Sequence, residues 1–440
     1  MIPGDFNRLH KGRLIIDCSD FMKFFIKKNG VTGIQRLVLC MMEIWRRDQR
    51  VVFARYNSGR FEELIFPVET SVVSELQRLA GRRSDFKQAL ASRSVWRKIQ
   101  GLIVLLARHH GLKTRPVEPR EGDTFFFPGA AWGNLAAIDY VQGLKQRHDL
   151  RLVVYVHDLI LIYGESFSDF KTFIQFRTFL EKVVETADQI ICNSEYSRRA
   201  LERYTGFLGA AVVTLAHEFG LFDSRSFTRD FDVNQVRALV GVEAGQARPF
   251  VLCVGTIDRR KNQVSLVRAW IALSRRRPMP LLVLAGRFNG MSDDVRILLE
   301  REDCPVKVIE GPSDEDVGAL YAACQFTVFP SHFEGWGIPV GESLWFGKAC
   351  LASNATSIPE VGGPHCRYFD PASLDDLIEK LEGMLDDPPD MSYLTRDQLR
   401  TWEQVAQDLR LALFAPPVIP AQAAAPAEPA IPAAPHLVSA

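Results

Sequence analysis

Residues 326–363 read FTVFPSHFEGWGIPVGESLWFGKACLASNATSIPEVGG, and this stretch decides the fold. Phe326 to Phe329 is a short apolar run, the pattern of a parallel strand buried on both faces. Pro330 and Ser331 end it. A loop follows with Gly335 and Gly337, where backbone can approach a ligand closely. Pro339 suits the first turn of a helix that runs on through Glu342, Leu344 and Phe346, and Gly347 is a natural stop. Ala349 to Ala352 starts the next strand. Two carboxylates, Glu334 and Glu342, thus flank a glycine loop and a helix N-terminus, with seven residues between them. Free N–H groups and the macrodipole draw anions to such a terminus. Carboxylates nearby can accept hydrogen bonds from hydroxyls. The arrangement suits a ligand that carries both phosphates and sugar hydroxyls.

Glu–x7–Glu alone also describes an ordinary helix capped by acidic residues. The loop between the two carboxylates says more. Phe333, Glu334, Gly335, Trp336, Gly337, Ile338 and Pro339 resemble the FEGFG(I/L)P segment of the retaining glycosyltransferases of family 4, and Glu342 completes the spacing. The resemblance implies Glu334 beside the donor sugar and loop amides (Gly335, Trp336, Gly337, Ile338) facing sugar and phosphate. It places Glu342 on the nucleotide ribose. It covers most of residues 14–414, strongly over 250–363 and less so over 150–200.

The remaining chain reads as alternating strands and helices. Leu14 to Cys18 is an apolar run, followed by Gly30-Val-Thr-Gly33-Ile-Gln-Arg36 opening a helix. Strand, glycine turn and helix form the first unit of a doubly wound fold. The glycines do not spell GxGxxG, so a dinucleotide redox fingerprint is not supported. The segment resembles the TGIQR opening of some family members, in which it lies under the sugars; Gly33 otherwise only caps the turn. Thr124–Phe127 and Leu152–Val156 read as buried strands, the second ending at His157-Asp158. A lone His has an ordinary pKa near neutrality and is more often structural, but Y-V-H-D-L is similar to the family stretch whose His approaches the donor sugar. Gln189–Cys192 is another strand, and Asn193 or Ser194 can cap the helix after it.

Residues 220–247 are mixed and polar and are expected to link two domains. Phe250–Val254 then leads into Gly255-Thr-Ile-Asp-Arg-Arg260-Lys261-Asn262, a strand, a glycine and a basic pair before a helix, which is a phosphate cradle in physical terms. It resembles the family's VG…RKN element, in which Lys261 contacts the diphosphate. Many members carry Arg directly after the Gly; Thr256 stands there in this chain, leaving Arg260 or a more distant residue to supply the second charge. Leu281–Ala285 and Val306–Ile309 read as strands, and Ser313–Ala323 as a helix. A closing helix spans about Thr395–Phe414 and, by resemblance, crosses back onto the first domain. From Ala415 the chain is Ala/Pro-rich and cannot bury a core.

Composition bounds the partners. Basic and acidic residues balance at 53 each, which argues against a general nucleic-acid binder. Eight cysteines are scattered with no CxxC pair, and read as buried free thiols. The N-terminal MIPGDFNRLHKGR has no apolar core, so no signal peptide is expected, and no run approaches a membrane span. Residues 76–116 differ: ten Lys or Arg against one acid, Asp85, give ten minus one, +9. Trp96, Ile99, Leu102 and Leu105 are interleaved. Such a stretch either lies on an anionic membrane surface or forms a solvated helical hairpin.

These readings give an α/β chain of the GT-B class. Two Rossmann-like doubly wound domains would face a cleft: residues 1–235, with a basic helical insertion at about 76–116, and residues 245–394. A crossing helix (395–414) and a disordered tail (415–440) follow. The resemblance implies a retaining glycosyltransferase with catalytic residues His157, Lys261 and Glu334. Its donor contacts would be Gly33, Arg260, Lys261, Gly335, Trp336, Gly337, Ile338 and Glu342. No metal is expected, since the cations can neutralise the leaving diphosphate. The segments together look most like the mannosyltransferases of exopolysaccharide and O-antigen assembly. They imply GDP-mannose, a polyprenyl-diphosphate-linked oligosaccharide acceptor and a peripheral place on the cytoplasmic face of the membrane. Glucosyl- or rhamnosyltransferases use near-identical frames. A non-catalytic nucleotide-sugar binder and a glycan phosphorylase share the architecture.

Overall fold

The computed structural model describes residues 12–28, 33–65, 113–163, 170–220, 233–241, 249–290, 292–301 and 303–415. Among the described residues fourteen strands form two sheets. The first sheet holds β1 (Leu14–Asp17), β2 (Val51–Asn57), β3 (Arg60–Ile65), β4 (Lys113–Pro116), β5 (Thr124–Phe127), β6 (Arg151–Val156), β7 (Gln189–Cys192) and β8 (Ala211–Val212). Their order is β4-β3-β2-β1-β5-β6-β7-β8. The second holds β9 (Phe250–Val254), β10 (Leu281–Gly286), β11 (Val306–Glu310), β12 (Thr327–Phe329), β13 (Cys350–Ser353) and β14 (Cys366–Phe369), in the order β11-β10-β9-β12-β13-β14. Every pairing in the second sheet is parallel. This is a doubly wound order whose direction reverses at β9, and ligands bind such sheets at the carboxyl ends of the strands.

Successive residues of a strand face opposite sides, and the cores follow that rule. Ile15, Leu152, Val154 and Ile190 feed the core on the outer face of the first sheet. Leu14, Ile16, Val153, Tyr155 and Ile191 enter a second core, shared with Phe329, Trp336, Val340, Cys350, Ala352 and Val361 of the other half. The C-terminal helix, Trp402–Phe414, inserts Trp402, Val405, Leu409 and Leu413 into this shared core. Its Arg410 pairs with Asp48, just beyond the helix Gly33–Trp45.

Several boundaries differ from the sequence reading. The closing helix begins at Trp402, because Arg396–Gln398 is a separate 3-10 turn and Thr401 caps the helix through the Gln404 N–H. The stretch expected as linker contains a helix, Val233–Val240, whose Val236 and Val240 join the core of the second sheet. The expected helical insertion ends in strand: Lys113–Pro116 pairs antiparallel with β3, and Arg115 binds Glu63 at 2.6 Å. The rest of that insertion, and the tail after Ala415, lie outside the described residues. All eight cysteines are free, and Cys304 and Cys366 are half-buried rather than buried.

Candidate active site between the two sheets

The loop after β12 sits at the carboxyl end of its sheet, as the glycines and Pro330 suggest. Pro339 falls in the first turn of the helix Ile338–Trp345, and Gly337 precedes it at φ 107°, a conformation that excludes other side chains. Ser331 Oγ donates to Glu334 Oε1 at 2.6 Å, and the Glu334 N–H donates to Thr356 Oγ1 at 3.0 Å.

The basic pair closes on that carboxylate. Arg260 Nη1 and Lys261 Nζ lie 2.8 and 2.6 Å from Glu334 Oε1. Arg260 also donates to the Phe333 carbonyl at 2.7 Å, and Lys261 sits over the Phe329 ring. Neither cation is inside a helix: Asn262, in the left-handed region, caps Gln263–Ser274, so the pair occupies the turn before it. Burial pushes the Glu334 carboxyl up, but Arg260, Lys261 and the hydrogen bonds of Lys261 and Ser331 outweigh it and hold it at about 2. Burial also penalises both cations. The charges of Glu334, Asp258 and Asp158 more than restore Arg260 and leave it raised. Lys261 ends below its ordinary value, since burial and repulsion by Arg260 exceed the pull of the shared carboxylate. One carboxylate therefore faces two buried cations.

Glu342 is buried one helical turn further on, in the same helix. Tyr321 Oη donates to its Oε2 at 3.0 Å, and Arg36 binds its Oε1. Arg36 belongs to the first half, on the helix Gly33–Trp45, and also reaches Asp314 at 3.4 Å. The GIQR segment thus meets the second carboxylate directly. Gly33 meets the loop as well: a Cβ there would stand 2.9 Å from Ile338 Cδ1.

His157 lies on the other side of the seam. Burial pushes its imidazole down to about 4, so the near-neutral titration expected of a lone His is corrected: this ring is uncharged at neutral pH. Its Nε2 bonds the Pro128 carbonyl at 2.7 Å, with the tautomer assigned by that partner. A Cβ on Gly335 would stand 2.3 Å from the His157 carbonyl oxygen and 2.8 Å from Asp158 Cβ, so only glycine allows the two loops to touch. A second cross-seam contact needs no glycine. Glu360 accepts from the Glu195 and Tyr196 N–H groups at 2.7 Å each, capping a first-half helix from the second half.

The structure thus gathers Gly33, His157, Arg260, Lys261, Glu334, Gly335, Trp336, Gly337, Ile338 and Glu342 along one seam between carboxyl strand ends. Sequence reasoning named Asn193 only as a possible helix cap and Ser331 only as a strand end, and it gave no role to Arg36, Tyr321, Thr356 or Glu360. Arg36, Thr356 and Glu360 were within recognised segments; Tyr321 carried no pattern of its own. A cavity lined by Leu14, Trp45, Val51 and Phe414 lies beside the closing helix and includes none of the residues gathered at the seam.

Residues 242–400 match the family described as glycosyl transferases group 1. The serotype-specific mannosyltransferase WbdA of Escherichia coli is 29% identical over 249 residues, 54% of this chain and 29% of that protein. The O-antigen chain mannosyltransferase B of Escherichia coli is 33% identical over 141 residues, 31% of this chain and 37% of that protein. Each match thus spans well under half of the relative. The crystal structure of Anabaena Alr3699/HepE in complex with UDP and glucose shares the fold, with a TM-score of 0.61 at 17% identity over 92% of this chain and 100% of that one. Residues 242–400 therefore resemble a glycosyl transferases group 1 domain, and the chain has a GT-B fold.

Proposed function

We propose that this chain is a retaining family 4 glycosyltransferase. It would transfer α-mannose from GDP-mannose to a polyprenyl-diphosphate-linked oligosaccharide at the cytoplasmic face of a bacterial membrane. The observation that carries the reading is the cluster of Arg260, Lys261 and Glu334 pressed against the His157 loop, in a chain whose relatives are mannosyltransferases.

In the reaction, the bond from the anomeric carbon to the diphosphate breaks and its electron pair leaves with the phosphate. The acceptor hydroxyl oxygen forms the new bond on the same face, and its proton passes to the departing phosphate oxygen. Negative charge builds on that phosphate, where Arg260, Lys261 and the helix N-terminus at Ile338 supply fixed positive potential. Glu334 would then turn to the sugar, and Glu342 to the ribose hydroxyls. Neutral His157, with its Nε2–H held by the Pro128 carbonyl, keeps Nδ1 as an acceptor and brings no charge to the sugar. Both carboxylates hold internal partners in this structure, so donor entry must part Arg36 from Glu342 across the seam.

Among the described residues no helix is long and apolar enough to cross a membrane. The membrane assignment rests on the charge of residues 76–116, at roughly 1 kcal/mol per basic residue near an anionic surface.

The deciding experiment is transfer of radiolabel from GDP-mannose, UDP-glucose or dTDP-rhamnose to lipid-linked acceptor, with and without a chelator. Chelator-resistant transfer from GDP-mannose supports the reading. Transfer from another donor corrects the sugar, Mg²⁺-reversible loss overturns the metal-free mechanism, and no turnover with any donor leaves a non-catalytic binder.

A further inference from the structure

Asn193 stands at the seam with an unused hydrogen-bonding atom. It follows β7, the strand paired with β6, so it lies beside the His157 loop at the carboxyl edge. The residue is 2% exposed, and its Oδ1 has no hydrogen-bond partner. The sequence left the helix cap to Asn193 or Ser194. The structure gives it to Ser194, whose Oγ accepts from the Ser197 N–H at 3.0 Å, so Asn193 is released from that task. Its amide points instead toward the glycine loop: Nδ2 would lie 3.0 Å from a Cβ on Gly335. Trp336, the next residue of that loop, is also buried with its indole N–H unpartnered. A buried amide oxygen left unmatched costs about 1–3 kcal/mol, so an isolated fold gains nothing from holding one here.

We propose that Asn193 binds a hydroxyl of the transferred sugar and helps set which hexose is accepted. The inference rests on the donor reading above and adds a first-half residue to that site. The chemistry selects a hydroxyl. The vacant oxygen needs a donor, the neighbouring cations already have Glu334, and an amide brings no charge to a developing cationic sugar. A hydroxyl both donates and accepts, so it satisfies the carboxamide in either orientation of the amide. The position selects the sugar over the nucleotide, because Asn193 abuts Gly335, next to Glu334, whereas Glu342 lies within the helix Ile338–Trp345 and bonds Tyr321 of another helix.

Calorimetric titration of wild type, Asn193→Ala and Asn193→Ser with GDP and with GDP-mannose tests this, with UDP and UDP-glucose as the parallel pair. Asn193→Ala should keep GDP affinity within about twofold and weaken GDP-mannose by about fivefold, the range of one neutral hydrogen bond. Asn193→Ser, with a hydroxyl, should recover part of the loss. Because the alanine removes an unmatched polar group, the free variant should melt at or above the wild-type temperature. Equal weakening of GDP and GDP-mannose overturns the assignment, as does a loss seen only in acceptor KM. A lowered melting temperature or misfolding of both variants makes Asn193 structural and also overturns it. If wild type binds neither nucleotide sugar, the donor reading itself fails; if it binds one and both variants match it, only this inference fails.

Discussion

Replacing Glu334 with Gln tests whether the cation pair is built to hold an anion. The carboxyl ordinarily titrates at 4.5 and is held at about 2 by Arg260, Lys261 and Ser331. At about 1.36 kcal/mol per pKa unit, that depression is worth about 3 kcal/mol. The sign follows from a folded value below the unfolded one: the contribution is complete above pH 4.5 and disappears as pH falls through about 2. At pH 7 all of it is available to lose. Glutamine keeps the shape and one acceptor oxygen, but leaves two cations with side chains only 21% and 12% exposed and no counter-charge. Breaking a buried pair in this way costs several kcal/mol because the stranded charge remains desolvated. A loss of about 2–3 kcal/mol lowers the melting temperature by roughly 4–12 °C for a cooperative unit of 150–250 residues. Scanning calorimetry at pH 7 reads this directly. Pyrophosphate should then restore the variant more than it stabilises wild type, since an anion replaces the missing carboxylate. A variant melting within about 1 °C of wild type, or equal pyrophosphate stabilisation of both, would refute the argument that the pair stores positive charge for a phosphate.

Glu342→Ala should raise the donor KM about tenfold or more, whereas Glu334→Gln should mainly lower kcat; steady-state rates that match wild type for both would sink the site assignment. His157 titrates at about 4 in the fold and at 6.5 unfolded, so protonation favours unfolding below pH 6.5, and about 3 kcal/mol is lost by pH 4. In urea titrations, the stability difference between wild type and His157→Gln should therefore shift toward the variant as pH falls from 7 to 4; a constant difference would refute burial as the cause. Binding to anionic vesicles should decline with salt and fail when Arg93, Arg97, Lys98 and Arg108 become Glu, and co-sedimentation unchanged by those replacements would remove the membrane assignment.

Which parts of this molecule were legible depends on how each part is buried. Strands of the second sheet are covered on both faces, so Phe250–Val254 and Leu281–Gly286 are continuous apolar runs that no other reading fits. The hairpin of β2 and β3 sits toward the sheet edge, and its Arg55, Glu62 and Glu63 break that signal. A turn was available there: Ser58 and Gly59 both adopt positive φ, the geometry of a two-residue hairpin loop. The site residues were legible by type and spacing within one segment. Their partners were not, since nothing local links Arg36 to Glu342, 306 positions apart, or Glu360 to the helix start at Glu195. The pKa of His157 was hidden for the same reason: its value is set by burial beside Pro128, which periodicity does not encode.

These hidden pairings explain how the seam can be closed and still serve as the proposed binding site. Glu334 accepts from Ser331, Arg260 and Lys261, and Glu342 accepts from Tyr321 and Arg36. A buried carboxylate without such donors would be costly, so the seam satisfies its own charges. The same groups are complementary to a nucleotide sugar, in which hydroxyls can take the places of the donors and a diphosphate can take the place of the carboxylate. Arg36 and Glu360 are the members that cross the seam from charged groups on opposite halves, and both contacts are hydrogen-bonded ion or dipole pairs, not apolar packing. Such contacts exchange partners at modest net cost, because each broken hydrogen bond is replaced by one to ligand or water. Close approach at Gly33–Ile338 and of the Gly335 backbone to the His157 carbonyl specifies the closed geometry, while the polar pairs leave it reversible. Selection on the seam would then act on two things at once: glycines that let the halves meet, and charges that a donor can take over.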